Sequence, residues 1–135
     1  MKIFFSSSPL WQQQGIALVR IITGALLIYH GWEVFDEMKM NEYLKWEMFK
    51  NSSGKLMVYA GKWAELIAGV LLFVGLFTRL AAILVIGTLG YIVFFVGNGR
   101  FWYEEQHPFL FVLLGLVFFF TGPGNLSLDK AIFKK

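Results

Sequence analysis

The stretch GIALVRIITGALLIYHGW, residues 15–32, decides the class of fold. It is apolar almost without interruption, Arg20 and His30 excepted, and as a helix it is about 27 Å long, close to the thickness of a bilayer's hydrocarbon core. Trp11 and Gln12 to Gln14 ahead of it read as an interfacial lead-in. Lys2 before an apolar run imitates a secretory signal, but Arg20 interrupts the run and no small-x-small cleavage site follows. The expectation is a first span over about residues 12–33 that stays in the mature protein.

Moving outward, residues 33–55 are charged, with Glu37, Lys39, Glu42, Lys45 and Glu47 set among Phe35, Met38, Trp46 and Phe49 at roughly helical spacing. That is the pattern of an amphipathic helix lying in the membrane interface. Asn51 to Gly54 break it, and a second apolar run over about 56–77 carries Lys62 and Glu65. Thr78 and Arg79 leave room only for a tight turn. A third run covers 80–97 and stops at Gly97-Asn-Gly99; a fourth, 108–122, opens at Pro108 and ends at Gly122-Pro-Gly124. Ser127 is expected to cap a short amphipathic tail helix. Gly24, Gly61, Gly69, Gly75, Gly87, Gly90 and Gly115, with Ala60, Ala64 and Ala68 four apart, are expected to allow close approach of helix backbones in lipid.

Composition agrees with this reading. The 135 residues are 57% hydrophobic and 16% charged, against about 25% charged in soluble domains, and mean hydropathy is +0.60. The expected fold is all-α: one integral membrane domain over 1–135, a four-transmembrane-helix bundle with the interfacial helix between the first two spans. A cysteine count of zero excludes disulfides, thiol redox pairs, Cys-ligated iron–sulfur or zinc centres and covalently attached c-type haem. The net charge of +3 is scattered and forms no basic stripe, which excludes nucleic-acid binding. Four spans place both termini on one side. Lys and Arg divide equally between the two faces, but the acids concentrate on the loops opposite the termini, which favours cytoplasmic termini in a bacterial inner membrane.

The fourth span is short, about 21 Å. Either residues 101–107 dip into the membrane, carrying Glu104, Glu105 and His107 into a pocket, or the bilayer thins and the acids stay in solvent. Chain direction places His30, Glu33, Lys62 and His107 in the half opposite the termini, with Glu65 deeper. Arg20, lower on the first span, is expected to pair with Glu65, because an isolated charge in lipid costs several kcal/mol. Plainer readings stand beside these: an interhelical strut for Arg20 and Glu65, snorkelling for Lys62, interface anchoring for Tyr29, Tyr91, Trp102 and Tyr103. Two histidines and a few acids make no specific metal signature, and a bis-His haem through His30 and His107 rests on residue count alone.

The chain resembles the DoxX family of small four-helix membrane proteins from about Gly15 to Asp129. The resemblance is carried by Arg20-Ile-Ile-Thr-Gly24 followed by His30-Gly31, by Gly61-Lys-Trp-Ala-Glu65 with Gly69, by Leu76-Phe-Thr78-Arg79, and by Gly122-Pro-Gly124-Asn-Leu-Ser127-Leu-Asp129. Many members carry a lysine shortly after His-Gly where Val34 stands here, so a role for that lysine does not transfer. The resemblance implies the four-helix fold and an association with thiosulfate:quinone oxidoreduction or oxidative-stress assemblies; a shared fold does not carry a reaction with it.

Three functional classes remain open. In a quinone-interacting redox component, His30, Tyr103 and His107 would donate to the ring carbonyls and Glu33, Glu65 and Glu105 would carry protons. Arg20, Lys62, Tyr91 and Tyr103 would then line the bound ring, and a redox partner subunit would supply electrons. In a carrier, Arg20, Lys62 and Glu65 would form a mid-membrane polar site, enlarged in a homo-oligomer. In an assembly subunit the same residues would only set helix register, with residues 33–55 as the docking surface.

Overall fold

The computed structural model describes residues 2–45, 54–96 and 106–133, and among them it contains helices and turns but no strand. A 3₁₀ turn, Lys2–Phe5, precedes α1, Gln12–Gly31. Trp11 starts α1 from the left-handed region at φ 46°, and its carbonyl accepts from the Gly15 N–H at 2.8 Å. The helix tightens into a 3₁₀ turn, Trp32–Phe35, and Asp36 then goes extended. The Asp36 Oδ1 accepts from the N–H groups of Met38 and Lys39 at 3.1 and 3.3 Å, which caps α2, Glu37–Leu44. The amphipathic element read over 33–55 is therefore divided at Asp36, and its residues 46–53 lie outside the described residues.

The second long helix, α3, is Gly54–Val74. It ends where Gly75 takes φ 73° and Phe77 φ 49°. Thr78 opens α4, Thr78–Tyr91, which continues as a π-helical turn, Ile92–Val96. The expected turn at Thr78 and Arg79 thus sits three residues earlier. Its cause is Asp129, whose carboxylate accepts from the N–H groups of Phe77 and Thr78 at 2.6 and 2.8 Å and so starts α4 there. α5 is Gln106–Thr121, with Pro108 inside its first turn, where a missing N–H costs nothing. The tail forms α6, Leu128–Phe133, and the Ser127 hydroxyl accepts from Lys130 N–H at 3.1 Å, as a cap should.

Gln12–Phe35 and Gly54–Val74 are long and apolar enough to cross a membrane, while Thr78–Phe94 and Pro108–Thr121 are apolar but shorter. Leu18, Ile22 and Leu26 of α1, Ile67 and Val70 of α3, Leu80 and Ile83 of α4, and Leu113 and Val117 of α5 all face outward. Apolar outer faces on every long helix suit lipid rather than water. Inside, Leu27, Leu72, Ala81, Val85, Phe111 and Phe118 form the core between the helices.

The tightest seam is α1 against α3, which run antiparallel. A Cβ at Gly24 would lie 2.5 Å from Phe73 N, and one at Gly69 2.7 Å from Ile28 N. Gly31 meets Leu66 in the same way. These contacts set the register of the two helices: Gly31 is level with Leu66, and Gly24 with residues 69–73. Gly69→Leu must force the backbones apart and should lower stability by roughly 2–3 kcal/mol, read as a fall of several degrees in melting temperature in detergent. Gly87→Ala and Gly61→Ala, whose new methyl groups would meet open space, should leave it unchanged or raised.

Candidate functional site

At the end of the helices away from the termini, charged side chains from three elements meet. Glu33 lies in the 3₁₀ turn after α1, Lys39 in α2, and Lys62 and Glu65 one turn apart in α3. Lys62 Nζ stands 3.0 Å from Glu33 Oε2 and 3.4 Å from Glu65 Oε2, while Lys39 Nζ stands 3.5 Å from Glu33 Oε1. Side-chain exposure falls along this ladder from 50% at Lys39 through 15% at Glu33 and 13% at Lys62 to 6% at Glu65. The signs alternate, so the four charges cancel and each buried one has an opposite neighbour, the condition under which charges persist in an apolar interior.

Lys62 is held by Glu33 and Glu65 and so ties the turn after α1 to α3. The level of Gly31 with Leu66 brings Glu33 across from Lys62, a meeting that sequence spacing within either helix cannot reveal. His30, one turn before Glu33, is half-buried and packs edge-to-face on Tyr29 at 5.7 Å and on Phe111 of α5 at 6.2 Å. Trp32, Phe35 and Trp63 form a chain of edge-to-face rings at 4.9 and 5.5 Å beside the ladder. Sequence reasoning missed them as a group, although Trp32 adjoins Glu33 and Trp63 adjoins Lys62.

Tyr91 ends α4 and is 39% exposed. Tyr103, Glu104 and Glu105 lie outside the described residues. His107 occupies the first turn of α5, four residues before Phe111, and its side chain lies outside the described residues.

The expected pair of Arg20 with Glu65 does not form. In the antiparallel register Arg20 falls level with the end of α3, and Leu72, whose carbonyl it meets, is about 10 Å along the helix from Glu65. Arg20 is fully buried and donates to three backbone carbonyls: Nη1 to Leu72 O at 3.0 Å, and Nη2 to Asn125 O and Leu126 O at 3.1 and 2.8 Å. The C-terminal carbonyls of α3 are the negative end of its dipole, which suits a guanidinium. Nε and the Thr78 hydroxyl are left without hydrogen-bond partners among the described residues. Gly75 and Gly124 give the clamp its room: a Cβ on Gly75 would run into the guanidinium, and one on Gly124 would lie 2.7 Å from Gln13 O. Arg20 and the ladder are thus two separate polar centres at opposite ends of the helices.

Each centre makes its own prediction. Lys62→Met leaves the buried Glu65 carboxylate without its cation, and Glu33 with Lys39 alone, and should cost about 3–5 kcal/mol, whereas Lys62→Met with Glu65→Gln should recover much of that loss in the same detergent melt. Arg20→Lys keeps the charge but cannot hold carbonyls on both α3 and the tail. It should expose residues 122–133 to limited proteolysis while leaving α1 to α3 protected.

Comparison with known proteins puts these features in a family. Residues 15–98 match DoxX. A Haemophilus influenzae protein described as uncharacterized is 30% identical over 127 residues, covering 89% of this chain and 92% of its own length. A Bacillus subtilis protein bearing the name "Putative oxidoreductase CatD" is 33% identical over 123 residues, covering 89% of this chain and 88% of its own. An uncharacterized membrane protein of Mycobacterium tuberculosis is 26% identical over 156 residues, covering 100% of this chain and 96% of its own. No solved structure matches. With a family match that takes in α1, α3 and α4, the Arg20 residue of the clamp and the whole charge ladder, this chain belongs to the DoxX family of membrane proteins.

Proposed function

We propose that the protein is a quinone-interacting redox component of a bacterial inner membrane, in which α1, α3, α4 and α5 all cross the bilayer and both termini are cytoplasmic. A partner subunit bearing an electron carrier supplies the electrons. The observation that carries the reading is the charge ladder, because it leads titratable groups step by step from an exposed lysine to a carboxylate enclosed among apolar helices. The oxidoreductase name of the Bacillus subtilis relative supports a redox role.

Reduction of a quinone to a quinol consumes two electrons and two protons, so a site within lipid needs donors at the ring and a supply of protons from water. His30, half-buried among aromatic rings, offers a polar handle to a ring carbonyl within apolar walls. Glu33, the outer carboxylate, exchanges protons with water beside Lys39. Lys62 lies within reach of both carboxylates, and a small swing of its flexible stem shifts the compensating charge from Glu65 to Glu33. Glu65 then holds a proton at depth. Tyr91 at the end of α4, His107 in the first turn of α5, and Tyr103 and Glu105 between them in the sequence complete the set in this reading.

Protein purified in detergent and extracted with organic solvent should yield quinone, and stripped protein should take up a decyl-benzoquinone. In membranes supplied with NADH, Glu65→Gln should lower the quinol formation that depends on this chain by about a hundredfold, in line with the loss of a positioned proton donor, while leaving quinone uptake intact. A folded protein that carries no quinone and takes up none removes the reading.

A further inference from the structure

We infer that the terminal end of the helix assembly holds an anionic phospholipid, with Arg79 on its phosphate and the outer faces of α4 and α5 along its acyl chains; this does not depend on the quinone reading above. Arg79 is the second residue of α4 and reaches the last turn of α5, where its Nε donates to Phe119 O at 2.9 Å. Phe119 is among the last four residues of α5, whose carbonyls have no partner within the helix. That bond sets the guanidinium where the apolar lengths of both helices end, which is the depth of lipid headgroups. The Arg79 side chain is exposed, and among the described residues its Nη groups make no hydrogen bond or ion pair. A guanidinium held at Nε thus presents a fixed two-nitrogen fork, the geometry that meets two oxygens of a phosphate.

Charge is the first observation that says what covers this fork. In sequence, the terminal segments and the α3–α4 turn, residues 1–11, 75–79 and 122–135, hold Lys2, Arg79, Lys130, Lys134 and Lys135 against one acid, Asp129. The Asp129 carboxylate is engaged, accepting from the N–H groups of Phe77 and Thr78, and it makes no ion pair with Arg79 among the described residues. The same bonds bring α6, with the exposed Lys130, to the corner that Arg79 occupies. A positive end without a spare carboxylate attracts a lipid whose headgroup is a bare anion. It offers nothing to the ammonium group of a zwitterionic lipid.

The surroundings are the second. Phe77 and Leu80 beside Arg79, and Phe119 and Phe120 at the end of α5, are all exposed. Ile83 lies one turn further along the face of α4 that carries Arg79 and is exposed too. A dissolved anion gains nothing from a rim of phenyl and leucyl groups. A phospholipid uses both parts, its phosphate on the fork and its hydrocarbon along Leu80, Ile83 and the α5 rings. Arg79 therefore does two things at once: it closes a free carbonyl of α5 and turns its outer edge to the headgroups.

The test is native mass spectrometry of the full chain in detergent, stripped of lipid and titrated with dioleoyl-phosphatidylglycerol, dioleoyl-phosphatidylethanolamine or inorganic phosphate. Phosphatidylglycerol should bind about tenfold more tightly than phosphatidylethanolamine, and Arg79→Gln should weaken it about tenfold, as expected for lost hydrogen bonds to a charged group. Lys55→Gln, which removes an exposed lysine at the opposite end of α3, should leave it unchanged. Leu80→Glu leaves the bond to Phe119 in place and sets a negative charge at the rim, so it should weaken phosphatidylglycerol as well. Equal binding of the two lipids, or equal losses in Arg79→Gln and Lys55→Gln, overturns the site. Inorganic phosphate bound as tightly as phosphatidylglycerol makes it a site for a soluble anion and overturns the lipid. Should Arg79→Gln fail to fold, unchanged phosphatidylglycerol binding in Leu80→Glu overturns the proposal by itself.

Discussion

A guanidinium enclosed among apolar helices, with no carboxylate in ion-pair contact among the described residues, has to be met by backbone carbonyls, and the fold is organised to bring them. Arg20 on α1 collects one carbonyl from the end of α3 and two from the chain after α5. That requirement explains why α3 stops at a glycine, why the segment after α5 turns back beneath α1, and why Gly124 lies against the backbone of Gln13. Once the tail is in place, Asp129 is in position to start α4 and Ser127 to start α6. Breaking the Arg20 contacts would loosen every element at that end.

The opposite end follows another rule. Its charges are satisfied by one another, side chain to side chain, through Lys39, Glu33, Lys62 and Glu65. Carbonyl partners cannot gain or lose protons and cannot move without the helix; carboxylates and ammonium groups on flexible stems can do both. The polar groups nearest the termini thus hold the helices together, and those at the far end are suited to chemistry. Aromatic rings stand at both ends: Trp32, Phe35 and Trp63 chain beside the ladder and Tyr29 and Phe111 pack on His30, while Phe77 pairs with Phe133 and Phe119 with Phe120 near the termini.

Much of this was legible in the sequence because hydropathy and capping are local. The apolar runs locate α1, α3, α4 and α5 to within a few residues, and Ser127 signals α6 by the ordinary N-cap preference. The placement of His30, Glu33 and Lys62 at one end follows from chain direction alone, whereas Glu65 reads from the sequence as deeper and paired with Arg20. Arg20 was misread because the partner of a buried charge depends on how far one helix slides along another, and that offset is set by three glycines whose contacts span tens of residues. Asp129 as the cap of α4 is equally invisible, since it lies 52 and 51 positions from the N–H groups it accepts from. The pairing of Lys62 with Glu33 is hidden for a related reason: the sequence of α3 does not show what faces it, and only the neighbouring turn supplies Glu33.

The cap on α4 also bears on how the protein is made. Asp129 lies 52 and 51 positions after the N–H groups it caps, and Asn125 and Leu126 lie 105 and 106 positions after Arg20, so neither the α3–α4 corner nor the Arg20 clamp can close before residues 125–129 have been synthesised. A chain cut short ahead of them would leave the Phe77 and Thr78 amides and the guanidinium bare at the same time, so the two joints are completed or lost together.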